Sequence, residues 1–309
     1  MRVRRRRDGA DGAPSAEPTD PPHATRVLLD LLLYVEQVGH GDPLILLHGF
    51  GASRVTWRHW VPDLARSFTV YLVDMRGFGS ALRPVSARYA PDDMADDVRR
   101  MILELDLRRV TLVGHSIGGG VALLTTLRLH DQGEGGRIAR LISVAGTAYD
   151  QKIPYYVEML RHRHTQLLLQ LVPTRWLIRK IIRSIVYDVE GVSDELVEHY
   201  AKPLRPLAAK RAVVAAALQV VPEDLDELIR RYRELDVPTL LLWGRHDPVV
   251  PLSVGERLAR ELPDARLVVL ERCGHMPQEE LPEESLAVVR SFLKESALPA
   301  DGARRSQRG

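Results

Sequence analysis

Ser116 stands in Gly114-His115-Ser116-Ile117-Gly118, a G-x-S-x-G pattern that follows the apolar run Val110–Val113 and leads into Gly119 and a helix-like segment. Strand, sharp turn and helix are the setting that lifts a serine hydroxyl clear of a sheet edge. Serine is a weak nucleophile at its ordinary pKa. It needs a base within hydrogen-bond reach, and a third group to fix the tautomer of that base. Two later residues have the right types. His275, in Cys273-Gly274-His275-Met276-Pro277, can serve as general base and later as general acid. Asp247, in Gly244-Arg245-His246-Asp247-Pro248, can orient the imidazole and stabilise its charged form. The order nucleophile, acid, base is one that such triads use. The backbone N–H of Ile117 is aimed where an oxyanion would form, and the N–H of Phe50 in His48-Gly49-Phe50-Gly51 is the second donor. The chemistry this set could do is acyl transfer.

The other reactive side chains have structural readings. His48 and His115 sit inside turns, where hydrogen bonding is the usual role, and His246 is expected at the surface beside Asp247. Asp150 is the rival orienting acid. Asp74 and Arg76 are expected to brace a loop as an ion pair, and Cys273 to serve packing. No metal spacing such as H-E-x-x-H occurs, and no G-x-G-x-x-G follows the first strand, so neither a metal nor a cofactor is expected.

Positioning these residues requires a scaffold. Apolar or alternating runs predict strands at Arg26–Leu29, Leu32–Gln37, Leu44–Leu47, Phe68–Val73, Val110–Val113, Ile138–Ala145, Thr239–Trp243 and Arg266–Leu270. The first two form a hairpin around Asp30-Leu31. Helices are predicted at Thr56–Ala65, Pro91–Leu107, Gly119–His130, Ser253–Leu262 and Pro282–Glu295. This alternation specifies an α/β fold: a mostly parallel twisted sheet of about eight strands flanked by helices. Chemistry in such sheets gathers at the carboxyl ends of the strands. His48, Ser116, Asp247 and His275 all fall just past strand ends.

Residues 148–232 break the alternation. They hold no strand-like run, and helices are predicted at Tyr155–Leu171, Arg175–Tyr187, Asp194–His199, Ala208–Val220 and Leu225–Tyr232, punctuated by Pro154, Pro173, Pro203, Pro206 and Pro222. This reads as a helical cap inserted into a core made of residues 25–147 and 233–297. Its Tyr155, Tyr156, Met159, Trp176, Ile178 and Tyr187 are candidate pocket walls, which suggests a hydrophobic acyl or aryl substrate. Arg179, Lys180 and Arg183 are read as a solvated basic face.

At 309 residues, 45% hydrophobic and 27% charged, the chain can bury a sizeable core. Its net charge of +2 makes no case for nucleic acid. A single cysteine allows no intrachain disulfide and no thiolate cluster. Residues 1–24, basic and then rich in Ala, Asp, Gly and Pro, and residues 298–309 are expected to be disordered tails. No secretory signal and no membrane-spanning run is read, so a cytoplasmic protein with a small-molecule substrate is expected. The oligomeric state is left open.

From about Thr25 to Ala297 the sequence resembles the α/β-hydrolase fold family, in its serine-nucleophile branch with a helical cap. The resemblance is carried by His48-Gly49-Phe50, Asp74-Met75-Arg76-Gly77-Phe78-Gly79-Ser80, Gly114 to Gly119, Asp247 with Pro248 and Pro251, and Gly274-His275-Met276-Pro277. It implies a triad of Ser116, His275 and Asp247, an oxyanion hole from Phe50 and Ile117, and no cofactor. Haloalkane dehalogenases and most epoxide hydrolases of this fold carry aspartate at the elbow. Serine there implies ester, thioester or amide cleavage, C–C hydrolysis of diketone-type substrates as in meta-cleavage product hydrolases, or a cofactor-free perhydrolase. Carboxylic ester hydrolysis is placed first because the triad alone suffices for it. A non-catalytic ligand receptor on the same fold is the alternative outside enzymes.

Overall fold

Strands with no polar face must be covered on both sides. Leu44, Ile45, Leu46 and Leu47 are all fully buried, and so in effect are the strands at 110–115 and 239–244. The computed structural model describes residues 25–27, 32–84 and 88–296. The expected tails and the Asp30-Leu31 turn lie outside the described residues. The strands are β1 (Thr25–Val27), β2 (Tyr34–Gly39), β3 (Asp42–Leu47), β4 (Phe68–Asp74), β5 (Val110–His115), β6 (Ile138–Val144), β7 (Thr239–Gly244) and β8 (Ala265–Leu270). They form one eight-stranded sheet in the order β1-β2-β4-β3-β5-β6-β7-β8. The pairings β1–β2 and β2–β4 are antiparallel, and the other five are parallel. This is the expected α/β architecture.

The helices are α1 (Val61–Leu64), α2 (Pro91–Glu104), α3 (Ile117–Asp131), α4 (Tyr155–Leu160), α5 (Arg163–Leu171), α6 (Thr174–Ile185), α7 (Asp194–Ala201), α8 (Leu207–Leu218), α9 (Leu225–Arg231), α10 (Leu252–Glu261), α11 (Pro277–Glu280) and α12 (Pro282–Glu295). Ile45 and Leu47 pack in one core with α2, α3 and α10. Leu44 and Leu46, pointing the other way, pack with Trp57, Trp60 and α12. The segment between β6 and β7 contributes α4 to α9 and no strand. No described helix is long and apolar enough to cross a membrane.

Several elements differ from expectation. Thr56–Ala65 is not one helix: a 3-10 turn at Arg54–Trp57 precedes the single turn of α1. Pro62 lacks the N–H that would continue the first turn into the second. Tyr155–Leu171 is divided into α4 and α5, and the carbonyl of Leu160 freed by the break accepts from Gln166 Nε2 at 2.9 Å. α2 stops three residues early. Asp106 takes a left-handed φ of 44°, and the N–H of Leu107 closes onto the carbonyl of Ile102 at 2.9 Å, a Schellman-type stop made without glycine. α11, a single turn directly after His275, had no expectation attached.

β5 and α3 cross so closely that a Cβ built on Gly114 would sit 2.1 Å from the carbonyl oxygen of Gly118. Gly114→Ala is therefore expected to lower stability by roughly 1–3 kcal/mol through overpacking against backbone. A thermal melt compared with wild type checks this, and an unchanged midpoint would refute the contact.

Candidate active site

The turn from β5 into α3 holds Ser116 at φ 54° and ψ −122°. A left-handed φ at a residue with a Cβ costs of order 1–3 kcal/mol and persists only where neighbours over-determine it. Here they do. The N–H of Ser116 donates to the carbonyl of Val144 at 3.0 Å, and its carbonyl accepts from Gly119 at 2.9 Å and Thr147 at 3.0 Å. The side chain, in a residue only 8% exposed, faces a cavity of about 430 Å³.

His275, on the loop after β8, lines the same cavity. Its Nδ1 lies 2.9 Å from Asp247 Oδ2. Asp247, on the loop after β7, accepts on Oδ1 from the amides of Val249 at 2.8 Å and Val250 at 2.9 Å. An ionised carboxylate only accepts, so Nδ1 of His275 carries the hydrogen and Nε2 is left as an acceptor. Among the described residues the Ser116 hydroxyl makes no hydrogen bond to His275, a contact that often tightens only when substrate binds. The two loops are themselves joined. The amide of His246 donates to the carbonyl of Cys273 at 3.0 Å. A Cβ on Gly244 would lie 2.0 Å from the carbonyl of Gly274.

Phe50 and Gly49 also line the cavity. A Cβ on Gly49 would come within 3.2 Å of Ser116 Cβ, so the Gly49-Phe50 backbone passes directly over the serine. Among the described residues, neither the Phe50 amide nor the Ile117 amide donates to a protein acceptor. Two N–H groups next to Ser116 thus have no protein acceptor among the described residues.

His48 and His115 brace the site. The amide of Met75 donates to His48 Nε2 at 3.0 Å, while His48 Nδ1 donates to the carbonyl of Gly49 at 2.8 Å. His115 Nε2 donates to the carbonyl of His275 at 2.8 Å, and the two rings lie 4.9 Å apart. Burial pushes the His115 ring down to about 3, so it stays neutral beside His275. Asp74 and Arg76 do brace loops, but with other partners. Asp74 accepts from Arg54 and from the amide of Ser80, and Arg76 pairs with Asp97 at 2.6 Å. Asp150 is exposed in a separate groove. Cys273 is buried, and burial raises its thiol far above the usual range.

Helices α4 to α8 roof the cavity. Tyr155, Tyr156, Met159, Trp176 and Ile178 line it as expected. Tyr187 does not; it lines a different groove, with its ring 4.9 Å from that of His246. Lys180, read in the sequence as part of a solvated basic face, also lines the cavity, and so do Tyr200 and Lys210, which no pattern in the sequence singles out. Tyr200 belongs to a buried chain of hydrogen bonds. Its hydroxyl lies 2.6 Å from Thr56 Oγ1 and 3.0 Å from Glu279 Oε1, and Glu279 pairs with Arg58 at 2.5 Å. Burial raises the Glu279 carboxyl to about 7, against the pull of Arg58 and Tyr200.

The profile of the alpha/beta hydrolase fold family matches residues 42–282. The 2-hydroxymuconate semialdehyde hydrolase of Pseudomonas sp. strain CF600 is 30% identical over 264 residues, covering 84% of this chain and 89% of that protein. A solved meta-cleavage product hydrolase from Pseudomonas fluorescens IP01 superposes with a TM-score of 0.72 at 25% identity, covering 89% of this chain and 98% of that one. A thermophilic esterase from Thermogutta terrifontis gives a TM-score of 0.70 at 25% identity, covering 89% and 95%.

A carboxyl whose folded pKa is raised favours the folded state while protonated and loses that contribution as pH rises toward the folded pKa. Glu279 should therefore make the protein less stable as pH goes from about 4.5 to about 7. Melts of wild type and Glu279→Gln across that window test this. The variant should show a flatter dependence, and identical slopes would refute the assignment.

Proposed function

The chain belongs to the α/β-hydrolase fold family, and we propose that it hydrolyses a carbon–carbon bond next to a carbonyl, in a dienol-type diketone, through an acyl-enzyme on Ser116. The observation that carries the chemistry is the strained serine facing one cavity with a histidine already bonded to a buried carboxylate. The choice of bond rests on the 30% identical relative, whose name is that of an enzyme acting on a semialdehyde of this conjugated class. The mostly apolar cavity, with Tyr155, Tyr156 and Trp176 among its lining residues, suits a flat conjugated substrate.

The dienol first shifts to its keto tautomer, placing a proton on the carbon beside the acyl carbon. Ser116 Oγ then attacks the acyl carbon while its proton passes to His275 Nε2. The oxyanion rests on the amides of Phe50 and Ile117, each worth roughly 2.7–4 kcal/mol in the transition state. Asp247 stabilises the imidazolium. The C–C bond breaks, its electron pair delocalises into the conjugated leaving fragment, and His275 returns the proton. Water, activated by His275, then cleaves the acyl-enzyme. The sum is substrate plus water giving a carboxylic acid and an enol.

Carboxylic ester hydrolysis is the second reading. It uses the same steps with an alkoxide leaving group, and the likeness to the Thermogutta esterase supports it. A dienol diketone followed by loss of its absorbance, beside p-nitrophenyl esters from acetate to palmitate, separates the two. Turnover of the esters alone transfers the assignment to esters. A wild-type protein that turns over neither, and resists a fluorophosphonate, is a receptor instead. Ser116→Ala should lower kcat by at least about 10³-fold. Asp247→Asn should lower it by roughly 10³–10⁴-fold, because the imidazole loses its tautomer control. Variants keeping wild-type kcat in either case would refute the triad.

A further inference from the structure

The histidine loop is held from an unexpected side. Glu280, the last residue of α11, accepts three backbone N–H bonds. Its Oε2 takes Gly274 at 2.9 Å and Tyr187 at 2.7 Å, and its Oε1 takes Met276 at 2.9 Å. Gly274 and Met276 flank His275. Tyr187 lies just past the C-terminus of α6, in the helical segment that roofs the cavity. The same stretch reaches His275 directly, since the amide of His275 donates to the carbonyl of Ile185 at 2.8 Å. No side chain could intervene: a Cβ on Gly274 would lie 2.5 Å from that carbonyl. The ring of Tyr187 rests on His246, next to Asp247.

A plain helix cap would explain the Met276 bond alone, since a carboxylate one turn on can accept from the residue that starts the helix. It does not explain bonds to Gly274 and Tyr187, which lie outside α11. We propose that Glu280 is a positioning residue for His275, clamping the peptides on both sides of the base and locking them to the roof at residues 185–187. On this reading the roof is part of the catalytic alignment as well as a cover. This rests on His275 being the base, as proposed above.

The clamp acts by geometry, and a base displaced by about 1 Å can cost roughly 10²-fold in rate. Glu280→Ala leaves three amides without their acceptor. It should lower kcat, and the fluorophosphonate labelling rate of Ser116, by roughly 10²-fold with KM changed less than about threefold. Glu280→Gln can keep the two bonds on one oxygen but turns an NH₂ toward the Met276 amide, so an intermediate loss of about tenfold is expected. A merely structural role would lower the melting temperature and leave kcat and labelling of the folded variant at wild-type values, which would overturn the proposal. Should Glu280→Ala not fold, Glu280→Gln decides alone: rate loss at constant KM sustains the clamp, and an unchanged rate removes it. His275→Ala separates this from its premise. Labelling that survives in His275→Ala would refute the base itself. Labelling lost there but intact in the Glu280 variants would refute only the clamp.

Discussion

One backbone angle governs the molecule: the left-handed φ at Ser116. A residue with a side chain does not rest there unaided. It is kept there by hydrogen bonds to the end of β6 and by the close crossing of β5 and α3, which glycine at 114 permits, while glycine at 118 lets α3 pass close to the end of β3. The strain is offset by a sheet whose central strands are buried on both faces. The serine thus stands on strands buried on both faces, and a softer support would let the turn relax and withdraw the hydroxyl.

Asp247 and His275 are fixed by a related economy of space. β7 and β8 are neighbours in the sheet, so their following loops emerge side by side. Gly244 and Gly274 let those loops touch backbone to backbone, and the His246–Cys273 bond ties them. The Asp247–His275 pair is therefore assembled by the fold itself. Preorganisation of this kind lowers the reorganisation needed when charge develops. His115, neutral and bonded to the carbonyl of His275, joins this pair to the elbow.

Much of this is legible in the amino-acid sequence, for identifiable reasons. Buried parallel strands need unbroken apolar runs, so β3 to β8 announce themselves within a residue or two. Ser116, Asp247 and His275 stand out because their types follow strand ends in a workable order. What escapes is what depends on partners distant along the chain. Glu279 and Glu280 look like two ordinary surface acids in Pro277-Gln278-Glu279-Glu280, yet one is buried against Tyr200 and the other collects three amides. Asp74 and Arg76, close in sequence, choose Arg54 and Asp97 instead of each other. The wall role expected of Tyr187 fails for the same reason: helical spacing fixes which residues share a face, but not what that face meets. Ester cleavage ranked first on the triad alone, and the likeness to C–C hydrolases shifts the balance where the residues themselves are neutral.

The seam between roof and histidine loop runs through residues 185–187, whereas Met159 and Trp176 line the chamber from α4 and from the first turn of α6. Replacing those wall residues reshapes the space offered to a substrate without touching the peptides that hold the imidazole. Substrate range in this chain can thus drift, in nature or in a directed-evolution library, while the reactive centre stays unchanged.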